Sequence, residues 1–246
     1  ADNAAADVLI LSAEDGLADT IAPRLRAAGA DCDRVHVLVD VPAGLDEDNK
    51  PVRRPPSLAR DIPHIGRIVR EHGVRLVIVD VLMAYLGGGT DSNSDQSIRA
   101  ALHPLGLMAE ATGTCIVLIR HMNKSGGANA LYRGGGSIGI VGAARAAYLV
   151  ARDPSDPERR IVATTKCNIA AEPPSLAYRL VSDEDHGCAR VEWEPGPVSM
   201  TANELLRASM DTEDNDDKND IDAWLADLLE GGPMQANDVY KAADGA

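Results

Sequence analysis

The chain has 246 residues, of which 45% are hydrophobic, and its formal net charge is −14. This length suffices for one sizeable core and a small appendage, and without Phe that core must consist of Val, Ile, Leu and Ala. An acidic surface argues against nucleic-acid binding through bulk charge, although a local basic patch stays compatible. We find no signal-peptide pattern, no membrane-spanning apolar run and no zinc spacing among the four cysteines, and we predict a reduced, cytoplasmic protein.

The first half of the chain alternates apolar runs with helical patterns. The runs carry no alternating polar residues and lie at 8–11, 76–79 and 115–119. Such runs are typical of strands buried on both faces of a parallel sheet. The helical patterns each end in a glycine, a common helix stop, and lie at 16–29, 57–73 and 95–113. This alternation predicts an α/β fold whose mostly parallel central sheet is flanked by helices with right-handed crossovers.

The pattern changes after residue 145. Strand-like segments separated by turn signals follow at 146–153, 159–168, 175–182 and 189–196. They predict an antiparallel C-terminal extension of the sheet. We therefore divide the chain into a core at 1–200, an acidic linker at 201–220 and the start of a short helical tail at 221–246.

Three polar residues follow the three apolar runs. Glu14 follows the first run, Asp80 the second and His121 the third. Because ligands of open α/β sheets bind outside the carboxyl ends of the strands, we expect these side chains to share one edge. Taken singly, each residue has a structural explanation: Asp80 as a helix cap, Glu14 as a turn residue, and His121 as a packed histidine.

A glycine-rich segment at 121–138 carries two cations, Lys124 and Arg133. Such loops suit phosphates or a nucleic-acid backbone, although a mobile surface loop has the same composition. The segment is not a Walker A loop, because Asn123 precedes Lys124 where GxxxxGK[ST] requires glycine. No other lysine of the chain fits that motif.

These motifs together resemble a known family. "LILSAEDG" is similar to the second core strand and catalytic glutamate of RecA-like ATPases, and "RLVIVDVLMAYLGGGTDSNSD" resembles their Walker B strand and the following loop. "GTCIVLIRHMNKSGG" resembles the sensor strand of the RepA-like hexameric replicative helicases. "TTKCNIA" resembles the Lys-x-Asn version of a strand that is Lys-x-Arg in DnaB-like helicases. The resemblance covers about residues 8–182. The tail resembles, less closely, the start of a winged-helix segment.

The resemblance implies ATP and Mg²⁺ as cofactors and a role for each matching residue. Asp80 would hold Mg²⁺ through water, Glu14 would polarise the attacking water, and His121 would sense the γ-phosphate. Arg145, or as a second choice Lys166, would reach the nucleotide of a neighbouring subunit as a finger that stabilises transition-state charge.

The resemblance also implies partners. It predicts a homo-oligomer, a hexameric ring, with the loops at 86–95 and 122–136 facing its channel and Lys124 and Arg133 contacting single-stranded DNA. A primase or a replication-initiation protein would be a further partner, and no membrane is involved. The phosphate loop of the family is missing, so we expect this chain to be an N-terminally truncated piece that is inactive alone.

Two other functions stay open on the sequence. One is a regulatory or DNA-binding ATPase of the same fold that does not unwind DNA. The other is a metal-dependent hydrolase in which Glu14, Asp80 and His121 ligate a metal directly.

Overall fold

The computed structural model describes residues 5–121 and 137–208, together with scattered positions between 224 and 242. The strands are β1 (Asp7–Ser12), β2 (Val35–Val37), β3 (Val41–Leu45), β4 (Pro51–Arg54), β5 (Val74–Asp80), β6 (Cys115–Leu118), β7 (Ala146–Asp153), β8 (Asp156–Cys167), β9 (Leu176–Asp183) and β10 (Cys188–Trp193). The helices are α1 (Ala22–Ala27), α2 (Leu58–Glu71), α3 (Leu82–Tyr85), α4 (Asp95–Thr112) and α5 (Gly139–Ala143). A π-helical turn at Leu17–Ile21 leads into α1, and a 3₁₀ turn at Cys32–Arg34 leads into β2.

The central sheet is parallel and has the order β2-β1-β5-β6. One face of this sheet packs on α2 and α4 to form the main core, and the strands are apolar because they are buried there. Leu11 and Val79, both 0% exposed, belong to the same buried core cluster as Ile65 and Ile98 of those helices. The α/β class predicted from the alternating pattern is confirmed, and α4 ends at Gly113 in the left-handed conformation, as its glycine indicated.

The predicted antiparallel part is also present, as a second four-stranded sheet with the order β10-β9-β8-β7. Its inner face packs on a helix at 202–208 through Ala202, Leu205 and Leu206. Those residues lie in the segment assigned to the acidic linker, so the packed part of the chain continues at least to residue 208. The remainder of that linker, 209–220, lies outside the described residues.

The outer face of this second sheet is apolar and exposed. Six apolar or aromatic side chains on that face are each more than two-fifths exposed: Tyr148, Val150, Leu176, Leu180, Val191 and Trp193. The register of the strands places these residues on a common face, and the Trp193 ring lies 5.4 Å from that of Tyr178. We call these six residues the outer apolar face.

Each sheet ends in an unpaired strand edge. Within residues 5–121 and 137–208, β6 pairs with β5 alone and β7 pairs with β8 alone. Side chains near the free edge of β6 are correspondingly exposed, with Val117 at 42% and Ile119 at 38%. A parallel sheet normally buries such residues, so β6 has room for another element beside it.

A buried ion pair joins the β3–β4 hairpin to α2. The Asp61 carboxylate accepts hydrogen bonds from the Arg54 guanidinium at 2.7 and 2.8 Å and from the Ser57 backbone N–H at 2.7 Å. The hydrogen bonds from Arg54, supported by the one from Ser57, hold the pKa of Asp61 below its ordinary value against the opposing effect of burial. The pair therefore fixes a hairpin whose own strands are short and largely exposed.

Replacing Asp61 by Asn should lower the free energy of unfolding by about 3 kcal/mol at neutral pH. This value is at the lower end of the free-energy cost of breaking a buried ion pair, because the Arg54 side chain is 27% exposed. The pKa of Asp61 is lowered in the folded state, so its contribution is present above the ordinary carboxyl pKa and disappears as the pH falls through the lowered value. Urea denaturation of Asp61→Asn at pH 7 and at successively lower pH measures both effects.

The matched control is Asp40→Asn on the same hairpin. Asp40 pairs with Arg53 at the surface, where both side chains are more than one-third exposed, so its loss should cost less than about 1 kcal/mol. Equal destabilisation by the two substitutions would show that the Asp61 pair has no special role in holding the hairpin.

Candidate functional site

The carboxyl ends of β1, β5 and β6 are tied together by backbone hydrogen bonds. The Ala13 N–H donates to the Asp80 carbonyl at 2.9 Å, and the Ile119 N–H donates to the Val79 carbonyl at 2.9 Å. The Leu82 N–H then donates to the Ile119 carbonyl at 2.8 Å. These bonds carry the strand register slightly beyond the strands themselves, into the segments that bear the polar side chains.

Glu14 and His121 meet at this edge. The Nε2 atom of His121 lies 3.3 Å from Oε2 of Glu14, although 107 residues separate them in the chain. Their side chains are 55% and 70% exposed, so the contact contributes little to stability and both groups remain accessible to a ligand. The predicted convergence of the two residues at one sheet edge is thus present in the structure.

Asp80 lies at the same edge in a half-buried position. Burial is the main cause that raises the pKa of its carboxyl, and the neighbouring charges of Asp15 and Glu14 raise it further. The charges of His121 and Arg24 act in the opposite direction without cancelling the effect. The ionised Asp80 is therefore short of positive charge, and a cation bound beside it would relieve that deficit.

Three residues that were not among the predicted site residues complete the surroundings of Asp80. Asp15 pairs with Arg24 of α1, the Nη1–Oδ2 distance being 2.9 Å. Tyr85 is only 2% exposed, and burial, assisted by the Asp80 charge, raises its pKa to about 12. Asp15 directly follows Glu14 in sequence and was within reach of prediction, whereas Arg24 and Tyr85 sit in helical segments that give no such signal.

The donor set suits magnesium better than a metal held wholly by the protein. Within the described residues, no three His, Cys, Asp or Glu side chains are grouped to hold a metal ion. Mg²⁺ commonly keeps several waters and binds through one or two carboxylates together with phosphate oxygens of a substrate. Asp80 with nearby Glu14 and Asp15 fits that mode, and the same finding disfavours direct ligation by Glu14, Asp80 and His121.

The two candidate finger residues lie near the end of α5. Arg145 follows that helix and is exposed. The Lys166 ammonium, in contrast, donates hydrogen bonds to three backbone carbonyls of the α5 region. The structure therefore gives these residues different surroundings: Arg145 is exposed, and Lys166 is partly buried and bonded to backbone carbonyls.

Lys124 and Arg133 lie outside the described residues. The chain re-enters the described part at Ser137, whose N–H donates to the Ser92 carbonyl at 2.7 Å. Ser92 belongs to the loop at 86–95. Ser137, the first described residue after the glycine-rich segment, is therefore bonded to the loop at 86–95.

Among the residues that the structure describes, no helix combines the length and apolar character that crossing a bilayer requires.

Comparison with known proteins gives one family. A family model described as an AAA domain matches residues 2–127, just over half of the chain and all of its parallel sheet. Among solved structures, that of the RadB recombinase aligns with a TM-score of 0.48 at 13% identity, covering 75% of this chain and 78% of that one. No curated protein sequence matches the chain.

Replacing Asp80 by Asn should raise the melting temperature at pH 7. The substitution removes a charge that burial and the neighbouring acids Asp15 and Glu14 disfavour. Because the pKa of Asp80 is raised in the folded state, the destabilising effect is present above that pKa and fades as the pH falls toward the ordinary carboxyl value. The gain of the variant should shrink accordingly in thermal melts recorded between pH 7 and about pH 4.

Asp48→Asn is the control. It removes an exposed carboxylate that pairs with Lys50 in the β3–β4 turn, and its effect should stay within about 1 kcal/mol without a gain in stability. An Asp80→Asn variant less stable than the parent at pH 7 would contradict the electrostatic description of the site.

Proposed function

The chain belongs to the AAA domain family, and from this premise we propose that it is the ATPase core of a RepA-like replicative helicase. In this proposal a ring of identical subunits hydrolyses ATP at its subunit interfaces and moves along single-stranded DNA. Family membership supports nucleotide hydrolysis. The observation that carries the assignment of residues is the convergence of Glu14, Asp80 and His121 at the carboxyl ends of three adjacent parallel strands.

Each residue has a role that follows from its position. When bound, Mg²⁺ with ATP supplies the phosphoryl group and neutralises charge that develops on it. Asp80, fixed at the strand end and short of positive charge, would hold the metal-bound water on this side of the nucleotide. Glu14, whose side chain is exposed, would orient and polarise the attacking water.

His121 would couple the nucleotide to the DNA-facing loop. It contacts Glu14 at 3.3 Å, and the segment at 122–136 begins at the next residue. A change in the position of Glu14 during hydrolysis would therefore reach that segment through a single side chain. This arrangement suits a sensor, because neither side chain is locked by burial.

We propose that the phosphate loop is supplied from outside these 246 residues, because no GxxxxGK[ST] motif occurs among them. Within the described residues the outer edge of β6 is unpaired, which supports a place for the loop there. A strand added there in parallel would end beside His121, at the edge where Glu14 and Asp80 already lie. The N-terminus of a following helix would then point at the phosphates.

The nucleic-acid contact would be local rather than general. The net charge of −14 opposes binding over the whole surface, so Lys124 and Arg133 in the glycine-rich segment would supply the attraction. The hydrogen bond between Ser137 and Ser92 supports a shared surface formed by the two loops. Strand-displacement assays on the complete protein separate this motor from a regulatory ATPase that binds DNA without unwinding it.

Glu14→Gln should lower kcat for ATP hydrolysis by about 10²–10⁴-fold in the complete protein with its phosphate loop. Glutamine keeps the size of the side chain and one acceptor oxygen but removes the general base, so ATP binding should persist. Hydrolysis measured by phosphate release, with binding measured separately by a fluorescent nucleotide, tests this. Glu47→Gln, at an exposed glutamate of the β3–β4 turn, is the control. Parental hydrolysis by Glu14→Gln would refute the assigned role.

Replacing Lys124 or Arg133 by Ala should weaken single-stranded DNA binding and flatten its salt dependence. Each lost phosphate contact should reduce the slope of log K against log salt by about 0.7. Titrations with labelled oligonucleotides at several salt concentrations give that slope. Lys50→Ala changes the net charge equally on the β3–β4 turn and should leave the slope as it is. An unchanged slope in both loop variants would exclude the segment from the interface.

A further inference from the structure

The Lys166 ammonium is saturated by backbone carbonyls. Its Nζ atom donates to the carbonyls of Val141 at 2.9 Å, Gly142 at 3.1 Å and Ala144 at 2.7 Å. An ammonium group has three N–H donors, so these bonds account for all of them. The acceptors lie at the C-terminal end of α5, where unsatisfied carbonyls carry partial negative charge and favour a cation.

The backbone just after β8 also bonds to Arg145, the second residue after α5. The Asn168 N–H donates to the Arg145 carbonyl at 2.9 Å. Lys166 and Asn168 thus bind the backbone on both sides of Ala144. The side chain of Arg145 is left exposed next to this fixed stretch of backbone.

α5 is held on its other side by α4. A Cβ atom on Gly139 would lie 2.4 Å from Oδ1 of Asp95, and one on Gly142 would lie 2.5 Å from Nη2 of Arg99. Only glycine permits this approach without a shift of the facing side chains. The helix therefore lies between α4 and the C-terminal end of β8 and approaches both closely.

We infer that Lys166 is a positioning residue that fixes α5 and presents Arg145, rather than a cation that itself reaches a neighbouring nucleotide. The inference rests on the proposed function for what Arg145 does in a ring, namely stabilise charge on the nucleotide of the adjacent subunit. The structural part of the inference, that Lys166 fixes α5, rests only on the three hydrogen bonds from Lys166 to backbone carbonyls.

The structural half can be tested on this chain by amide hydrogen exchange. Lys166→Met removes all three charge-assisted bonds, and Lys166→Arg keeps the charge but spreads its donors over a planar fork that does not suit three converging carbonyls. Both variants should exchange about tenfold or more faster than the parent at the amides of Gly142, Ala144 and Asn168. Lys50→Met, at an exposed lysine, should leave these amides unchanged. Parental exchange rates in both Lys166 variants would overturn the inference.

The functional half is tested in the complete ring. Arg145→Ala should lower kcat about 10³-fold or more, and Lys166→Met and Lys166→Arg should each lower it about 10²-fold through misplacement of Arg145. KM should stay constant, since Arg145 acts on the transition state. The double variant Lys166→Met with Arg145→Ala should be no slower than Arg145→Ala alone.

Full activity of Lys166→Arg would overturn the inference, because an arginine can replace a finger but not this clamp. Additive losses in the double variant would also overturn it. If the parent ring hydrolyses no ATP, the proposed function fails, and the exchange experiment still decides whether Lys166 holds α5.

Discussion

The parallel hydrogen bonding of β5 with β1 on one side and β6 on the other sets the position of every side chain in the candidate site. In this register Ser12 stands opposite Asp80, and Val79 opposite Leu118. A slip of one residue in β5 would turn Val79 out of the core, so the packing that buries it also specifies the height of Asp80. The position of Asp80 along the sheet is therefore as well defined as the core beneath it.

The three candidate residues differ in freedom, and that difference suits their proposed roles. Asp80 ends a strand and is partly desolvated, so its position is fixed and its ionised carboxylate favours the binding of a cation. Glu14 and His121 extend from segments beyond the strands and are exposed, so they can rearrange with the state of a nucleotide. The protein carries an unfavourable charge at Asp80 for the sake of this arrangement, as functional sites often do.

Much of this organisation could be predicted because it is local. Apolar runs and terminal glycines predicted β1, β5, α2 and α4 to within a few residues, and the segment predicted at 146–153 is β7. The region from β2 to β4 was missed, because three residues are too few for a pattern and the hairpin depends on the Arg54–Asp61 contact. The surroundings of Lys166 were equally hidden, since its three acceptors lie 22–25 residues away in the chain.

The outer apolar face has a consequence for the protein as a colloid. Three of the seven aromatic residues of the chain lie on or beside it: Tyr148, Tyr178 and Trp193. In solution such apolar surfaces on two molecules tend to associate. The electrostatic repulsion between molecules that each have a net charge of −14 opposes that association. Added salt screens the repulsion, and a pH near the isoelectric point of about 4.8 removes it. Solubility is thus governed by a balance between one sheet face and the charge of the entire molecule.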